Sequence, residues 1–328
     1  MPTLLTQRKM EPALAARIEA TLHRRSEARG DGIFSATAVA VLRVAIVLAL
    51  VAAACALFLV RRRDSARLEA ARRALLDAVH AQAASLTEED ARALPRVHGW
   101  LRGLSGSYEG DFVADELRAP GALDAALSGP TMYVHADLGD LVDAVRTATP
   151  AETSGKDALL FCLAIPPASR DEAALLAHLR DASTLAEART ANVHLLRDAE
   201  AGLPLLLPPW SARVTAARGL KELARLKEDL DRAPLVEAKR AAAATLLLLA
   251  IDEPGEGGGF VQLEGDRAHA VRVAIVDLRA SRVLLRLRRR VDPTWIAPQR
   301  RARHSVDLDG CLLALDVRAA TTPAAPGE

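Results

Sequence analysis

The chain has 328 residues, with 43 lysines and arginines against 42 acidic residues, and a formal net charge of +1. This balance argues against a general polyanion-binding protein, and a hydrophobic content of 50% excludes a disordered chain. The three cysteines are too few for a disulfide framework or a thiolate zinc site. Only five of the basic residues are lysines, and alanine is abundant. This composition is typical of a GC-rich bacterial genome, so we predict a bacterial protein.

An uncharged run from Val44 to Val60 is the strongest signal in the sequence, and Arg61, Arg62 and Arg63 close it. As a helix it would be roughly 26 Å long, and reading back to Thr37 supplies the rest of a hydrocarbon core of about 30 Å. The run has no polar face, which argues against a core helix, and no cleavage site ends it. We therefore predict a basic N-terminal tail over 1–36 and a single transmembrane helix over 37–60, with the lipid bilayer as its partner.

The orientation of this span depends on two opposing arguments. The arginines directly after it favour a cytoplasmic C-terminal part, whereas long domains translocate largely regardless of charge and the basic tail resists translocation. We predict a bacterial inner-membrane protein with its C-terminal domain outside the cytoplasm. In such a compartment Cys162 and Cys311 could pair, but buried free thiols are the interpretation we favour from sequence.

After the span we predict a helical stalk over 61–85, a globular domain over 86–319 and a disordered tail over 320–328. Thr87 and Asp90 have the spacing of a helix N-cap. Apolar runs predict buried strands at three places, listed here: Met132–His135, Ala158–Ile165 and Thr245–Ile251. With helical patterns between them, the runs predict an α/β or α+β domain with a mixed sheet of about five strands and flanking helices.

A hairpin is the clearest local pattern in the domain. Apolar residues alternate through Val271–Ile275 and Val283–Leu287, and a turn centred near Ala280 sets Ile275 beside Leu285. The opposite face carries five arginines that form a possible face for an anionic partner: Arg272, Arg282, Arg286, Arg288 and Arg290. Pairing of these arginines with acids of the same domain is the interpretation we favour, and scarce aromatic residues make a nucleic-acid partner unlikely.

The remaining candidate sites have weak signals. The glycine-rich segment 252–260 lacks the lysine of a phosphate loop, and we predict a plain loop there. Asp307–Gly310 begins like a calcium loop without its closing glutamate, so we predict a turn or helix cap. His135, Asp137 and Asp140 have no second histidine or cysteine near them in sequence, and we predict no metal and no cofactor.

No catalytic motif is recognisable, and the catalytic residues are unknown at this stage. We therefore predict a membrane-anchored accessory or scaffold protein that acts on an unidentified protein partner. The alternative is a membrane-tethered, hydrolase-like enzyme. Its site would lie at the strand ends around four residues: His135, Asp137, Asp252 and Glu253.

Overall fold

The computed structural model describes residues 16–17, 19–21, 23–24, 36–142, 157–189, 191–255 and 267–322, without the side chains of 36–40, 140, 142, 182–189 and 302. Most of the predicted basic tail lies outside these residues. So do the glycine-rich positions 256–260 and the last six residues of the chain.

A single helix, α1, runs from Ala36 to Ala83 and contains both the predicted span and most of the predicted stalk. From Val41 it is long and apolar enough to cross a membrane, with a mean hydropathy of 2.7 in its most apolar stretch. The large apolar side chains between Val41 and Val60 are 51–68% exposed. A soluble protein rarely exposes such a continuous apolar surface, which is the surface that lipid would cover.

The chain divides into two compact units, Met1–Glu69 and Ala70–Glu328. The last turns of α1 belong to the second unit, where Leu75 and Val79 are buried. Arg72 donates a hydrogen bond from its guanidinium to the Ala217 carbonyl at 2.7 Å. The final part of the predicted stalk is therefore packed on the C-terminal domain.

The C-terminal domain contains eleven further described helices. They are α2 (Glu88–Ala91), α3 (Ala93–Leu104), α4 (Ala122–Leu127), α5 (Leu138–Val142), α6 (Ala158–Ala164), α7 (Glu172–Arg189), α8 (Leu196–Leu206), α9 (Pro208–Ala216), α10 (Leu220–Arg232), α11 (Leu235–Ala242) and α12 (Pro298–Thr321). Short 3-10 turns occupy Asp115–Arg118 and Pro293–Trp295. The predicted cap of α2 is confirmed, because Thr87 and Asp90 form a reciprocal capping box.

Six strands form one mixed sheet in the order β1-β6-β5-β4-β2-β3. Their bounds are Phe112–Val113 (β1), Thr131–Asp137 (β2), Val193–Leu195 (β3), Leu246–Asp252 (β4), His269–Asp277 (β5) and Arg282–Val291 (β6). Strand β2 is parallel to both β3 and β4, and the other pairs are antiparallel. The fold is thus α+β with a mixed sheet of six strands, where about five were predicted. The short strands β1 and β3, two and three residues long, were not predicted, and the predicted strand at Ala158–Ile165 is a helix.

Helices cover both faces of the sheet. One face, which includes Tyr133, Leu248 and Val273, packs with α6, α7 and α12. The other, which includes Val134 and Leu249, packs with α3, α8 and α11. Because β4 is buried on both faces, its sequence is an almost continuous apolar run.

The predicted hairpin is confirmed in its register. Ile275 pairs with Leu285 and Val273 with Leu287, with one irregularity after Ile275. In the turn, the Asp277 carboxylate accepts hydrogen bonds from two backbone N–H groups at 2.9 and 2.8 Å. Ser281 has a φ of 51°, in the left-handed region that tight turns require.

Three predictions in the domain are wrong. The Ala158–Ile165 run is a buried helix, α6, which Asp157 caps by accepting a hydrogen bond from the Leu159 N–H at 2.9 Å. Asp307–Gly310 lies inside α12, and that helix continues to Thr321, two residues into the predicted tail.

The third wrong prediction is that the two cysteines of the domain are free thiols. Cys162 and Cys311 form a disulfide with a Cα–Cα distance of 5.1 Å, instead of two free thiols. The bond joins α6 to α12, and the two residues are 149 positions apart in sequence. Gly310 makes the close approach possible, because a Cβ there would lie 3.0 Å from the Leu159 nitrogen.

Candidate functional site

A polar site lies where the parallel strands β2 and β4 end. Strand β3, the next strand in sequence after β2, pairs with one edge of β2, and β4 pairs with its other edge. Such a switch point leaves a crevice at the carboxyl ends of the strands, where α/β proteins often bind ligands. Asp137 pairs with Asp252 in the ladder, and His135 pairs with Ala250. His135 and Asp252 therefore lie on the same face of neighbouring strands.

His135 forms the centre of a buried hydrogen-bond network. Its Nδ1 donates to Asp157 Oδ2 at 2.7 Å, and its Nε2 donates to Asp252 Oδ2 at 3.0 Å. Asp157 Oδ2 also accepts from the Tyr133 hydroxyl at 2.8 Å. Asp157 Oδ1 accepts from the first turn of α6, so this residue is at once a helix cap and a partner of His135. The side chains of His135, Asp157 and Asp252 are 15%, 15% and 5% exposed.

The charges in this network stabilise one another. Burial alone would lower the pKa of His135, but the charges of Asp252 and Asp157 raise it well above its ordinary value. Burial likewise pushes the pKa of each aspartate upward, but the charge of His135 and the hydrogen bonds that each carboxylate accepts together outweigh burial and lower both pKa values. The site therefore holds an imidazolium between two carboxylates at neutral pH, and both ring nitrogens act as donors.

A second histidine and a third aspartate extend the network. His269 Nε2 lies 3.5 Å from Asp252 Oδ1, and its Nδ1 is 3.0 Å from the Arg267 carbonyl. Asp309, on α12, accepts a hydrogen bond from Trp295 Nε1 at 3.1 Å. Burial raises the pKa of Asp309 to about 6, which makes it a carboxyl group that exchanges protons near neutrality.

These groups surround a cavity of about 50 Å³ between the sheet and helices α6 and α12. Its lining residues are His135, Asp157, Leu159, Asp252, His269, Val271, Val291, Val306, Asp309, Gly310 and Leu313. A water molecule needs about 10–15 Å³ of such space, whereas drug-sized ligands occupy pockets of about 300–1,000 Å³. The cavity therefore suits a few water molecules rather than a large substrate.

Among the described residues, no group of three or more histidine, cysteine or acidic side chains is arranged to hold a metal ion. Both ring nitrogens of His135 already donate hydrogen bonds to carboxylates. The side chain of Asp140, part of the weak metal pattern in the sequence, lies outside the described residues.

Of the four residues of the predicted strand-end site, the structure brings His135 and Asp252 into direct contact. Asp137 lies opposite Asp252 in the ladder. Glu253 belongs to a separate cluster, where it accepts hydrogen bonds from Arg272 and Arg288. The strand ends thus carry two polar groupings, one centred on His135 and one on Glu253.

Most of the predicted arginine face is paired inside the domain. Arg272 and Arg288 share Glu253, Arg286 pairs with Glu109, and Arg282 lies 2.6 Å from a Glu116 oxygen. Three of the guanidiniums also stand 5.7–6.0 Å from the centre of the Tyr108 ring. Arg290 lies farther along β6, in the lining of a groove of about 440 Å³. Whether this face meets an external anionic partner stays a prediction.

Sequence reasoning missed Asp157, His269 and Asp309. Asp157 stands directly before an apolar run, where an N-cap is a recognisable signal once that run is taken as a helix. His269 opens β5, two residues before the alternation that predicted the strand. Asp309 is recognisable only through tertiary packing, since its burial depends on α12 lying over the sheet.

Compared with models of known protein families, with curated proteins and with solved structures, the chain gives no match.

Proposed function

We propose that the chain is a bacterial membrane-anchored accessory protein whose C-terminal domain acts by binding a partner and not by catalysis. One observation carries this proposal: the His135 network is complete within the domain. Both ring nitrogens of His135, and both carboxylate oxygens of Asp157, have protein partners. Buried and satisfied networks of this kind hold a fold in one arrangement.

The proposed anchor is the apolar part of α1, and the proposed side for the domain is outside the cytoplasm. The disulfide between Cys162 and Cys311 supports this side. Disulfides form and persist in oxidising compartments such as the periplasm and are rare in the cytosol. The basic residues on both flanks of the span leave this orientation undecided in sequence terms, so the disulfide provides an independent argument.

A second candidate function, a membrane-tethered enzyme of the hydrolase type, is favoured by one observation. Asp309 and His269 line the same cavity, and the raised pKa of Asp309 lets its carboxyl group donate a proton near neutral pH. In this alternative the water-sized cavity holds the attacking water, and Asp309 acts as its acid or base.

Asp309→Asn distinguishes the two functions. The asparagine oxygen still accepts the hydrogen bond from Trp295, so the fold is retained while proton exchange is lost. The full-length variant would be tested for its ability to complement deletion of the gene in its own host, with protein level and thermal unfolding measured in parallel. Complementation by a folded Asp309→Asn protein supports the binding function. Loss of complementation with an unchanged level and fold refutes it and supports the enzyme. His135→Gln, expected to destabilise the domain, is the control for loss of fold.

A further inference from the structure

Three consecutive arginines, Arg61, Arg62 and Arg63, follow the apolar part of α1 without a break in the helix. All three residues are exposed. Consecutive residues of an α-helix lie about 1.5 Å apart along the axis and differ by about 100° in direction. The three guanidiniums therefore leave the helix at nearly the same level and in three different directions. We call these three residues, together with the exposed Arg67 one turn farther on, the arginine collar.

The level of the collar relative to a bilayer follows from the uncharged stretch before it. Arg43 and Arg61 are the charged residues that bound this stretch. At about 1.5 Å per residue they lie about 27 Å apart along the helix, close to the thickness of a hydrocarbon core of about 30 Å. The long stem of an arginine lets its charge reach the headgroups. A bilayer that contains this stretch therefore places Arg43 in one headgroup layer and Arg61–Arg63 in the other.

Acidic residues compensate little of the charge of the collar. Side chains on a helix meet when they are three or four positions apart. Asp64 is the only acid at such a spacing from any arginine of the collar, and its Oδ1 lies 3.9 Å from Arg67 Nη1. Glu69 has this spacing to Arg72 and Arg73 instead. Four guanidiniums therefore face one carboxylate, which gives the collar a net charge of +3.

The guanidiniums of Arg61–Arg63 form no ion pair among the described residues, so their donors are open to a ligand. A guanidinium has five N–H donors and can bind a phosphate through two of them at once. Phospholipid headgroups carry a phosphate at the level of the collar. A zwitterionic headgroup balances this phosphate with its own ammonium group, whereas an anionic headgroup does not. The collar therefore matches a headgroup of net negative charge better than a neutral one.

We propose that the arginine collar binds the phosphate groups of anionic phospholipids. The proposal rests on the proposed membrane anchor, because it requires the apolar part of α1 to lie in a bilayer. It requires no particular orientation, since the attraction acts in any leaflet that contains anionic lipid. Each arginine near an anionic surface strengthens the attraction by about fivefold, so the collar should select anionic over zwitterionic lipid by about tenfold or more.

The test measures lipid binding to the full-length protein in a non-ionic detergent by native mass spectrometry. One titration adds phosphatidylglycerol, and the other adds phosphatidylcholine with the same acyl chains. The test variant combines Arg61→Gln, Arg62→Gln and Arg63→Gln. The matched control makes the same change in net charge at three exposed arginines of the C-terminal domain: Arg102→Gln, Arg279→Gln and Arg303→Gln.

We expect the native protein and the control to bind phosphatidylglycerol about tenfold or more tightly than phosphatidylcholine. The preference of the test variant should fall below about twofold, because Asp64 then balances the remaining charge of Arg67. Equal affinity of the native protein for the two lipids, or an equal loss of preference in the two variants, overturns the proposal.

A measurement on the native protein covers the case in which the test variant does not fold. Phenylglyoxal modifies accessible arginines, and mass spectrometry locates the modified positions. Modification at positions 61–63 should be slower in nanodiscs that contain phosphatidylglycerol than in phosphatidylcholine nanodiscs, whereas positions 102, 279 and 303 should react equally in both. Equal rates at positions 61–63 in the two kinds of nanodisc overturn the proposal.

Extraction of host membranes with alkaline carbonate separates a failure of this proposal from a failure of the anchor. Native protein that stays in the membrane pellet but shows no preference for phosphatidylglycerol overturns the lipid binding alone. Native protein that carbonate releases from the membrane overturns the anchor, and the lipid binding with it.

Discussion

Replacing His135 with glutamine tests whether the buried network stabilises the domain. The substitution removes the positive charge between Asp157 and Asp252 and leaves two buried carboxylates without their cation. Removing one partner of a buried ionic group costs about 3–5 kcal/mol, because the remaining charges are desolvated and unpaired. For a domain of this size the corresponding fall in Tm is roughly 6–20 °C.

The effect should depend on pH with a defined sign. In the native protein the pKa of each aspartate is lowered, so their contribution to stability is present at neutral pH and is lost as the solution becomes acidic. Without His135, burial and mutual repulsion raise the carboxylate pKa values, and protonation relieves the strain. The pKa of His135 itself is raised, so its contribution to native stability is fully present below about pH 6.5 and declines as the pH rises further. The difference in unfolding free energy between native and variant should therefore shrink from about pH 6 to about pH 4, where native His135 contributes fully and the carboxylates of the variant take up protons.

The assay is thermal unfolding of the full-length protein, followed by circular dichroism, with His98→Gln as the matched control. His98 also contacts a carboxylate, Glu200, at 2.8 Å, but its side chain is 36% exposed. Pairs near solvent contribute about 0–1 kcal/mol, so the control should lose little stability. A Tm for His135→Gln within about 2 °C of the native value, or an equal loss for His98→Gln, would refute the reasoning.

Further predictions concern the disulfide, two helix glycines and the carboxyl group of Asp309. When membranes are denatured in the presence of an alkylating reagent, the two disulfide cysteines, which are fully buried in the folded domain, should be labelled only after a reductant is added; labelling without reductant would contradict the proposed compartment. Gly310→Ala should destabilise the domain by about 1–2 kcal/mol, because the new methyl group meets the Leu159 backbone at 3.0 Å. Gly99→Ala, in a helix with nothing within 4 Å, should instead stabilise it by about 0.5–1 kcal/mol in the same unfolding assay. Trp295 fluorescence should titrate with a midpoint near pH 6, and this transition should vanish in Asp309→Asn.

Local patterns in the sequence predicted local structure well. The hairpin register follows from alternation on both sides of one turn, because a shift by one residue would expose every apolar side chain. The Thr87 cap is recognisable from two residues three positions apart. In both cases the interacting groups are close in sequence, so pattern and contact coincide.

The error at Ala158–Ile165 has a specific physical cause. A short, continuous apolar run fits a buried strand or a buried helix equally, since neither presents a polar face. The composition favoured a helix, because the run is mainly leucine and alanine, with a single β-branched residue at its end. Its helical state moves Asp157 to an N-cap position, which is how that carboxylate reaches His135.

The candidate site itself was only partly predictable. His135 and Asp252 were selected because both end apolar strand patterns, and parallel pairing brings them together. Glu253, the next residue, points to the arginines on the opposite side, as strand alternation requires. Asp309 depends on α12 crossing the sheet, a contact between segments far apart in sequence that no local pattern reveals.

Helix α6 links the network to the disulfide. Asp157 caps its first turn and binds His135, and Cys162, one turn farther on, is bonded to Cys311 of α12. Gly310, next to that cysteine, packs against the same first turn, and Asp309 is the residue before it. The disulfide therefore fixes the helix that presents Asp157 against the helix that presents Asp309. Since disulfides form and persist mainly where conditions are oxidising, the compartment in which the domain lies also determines how firmly the two halves of the site are held together.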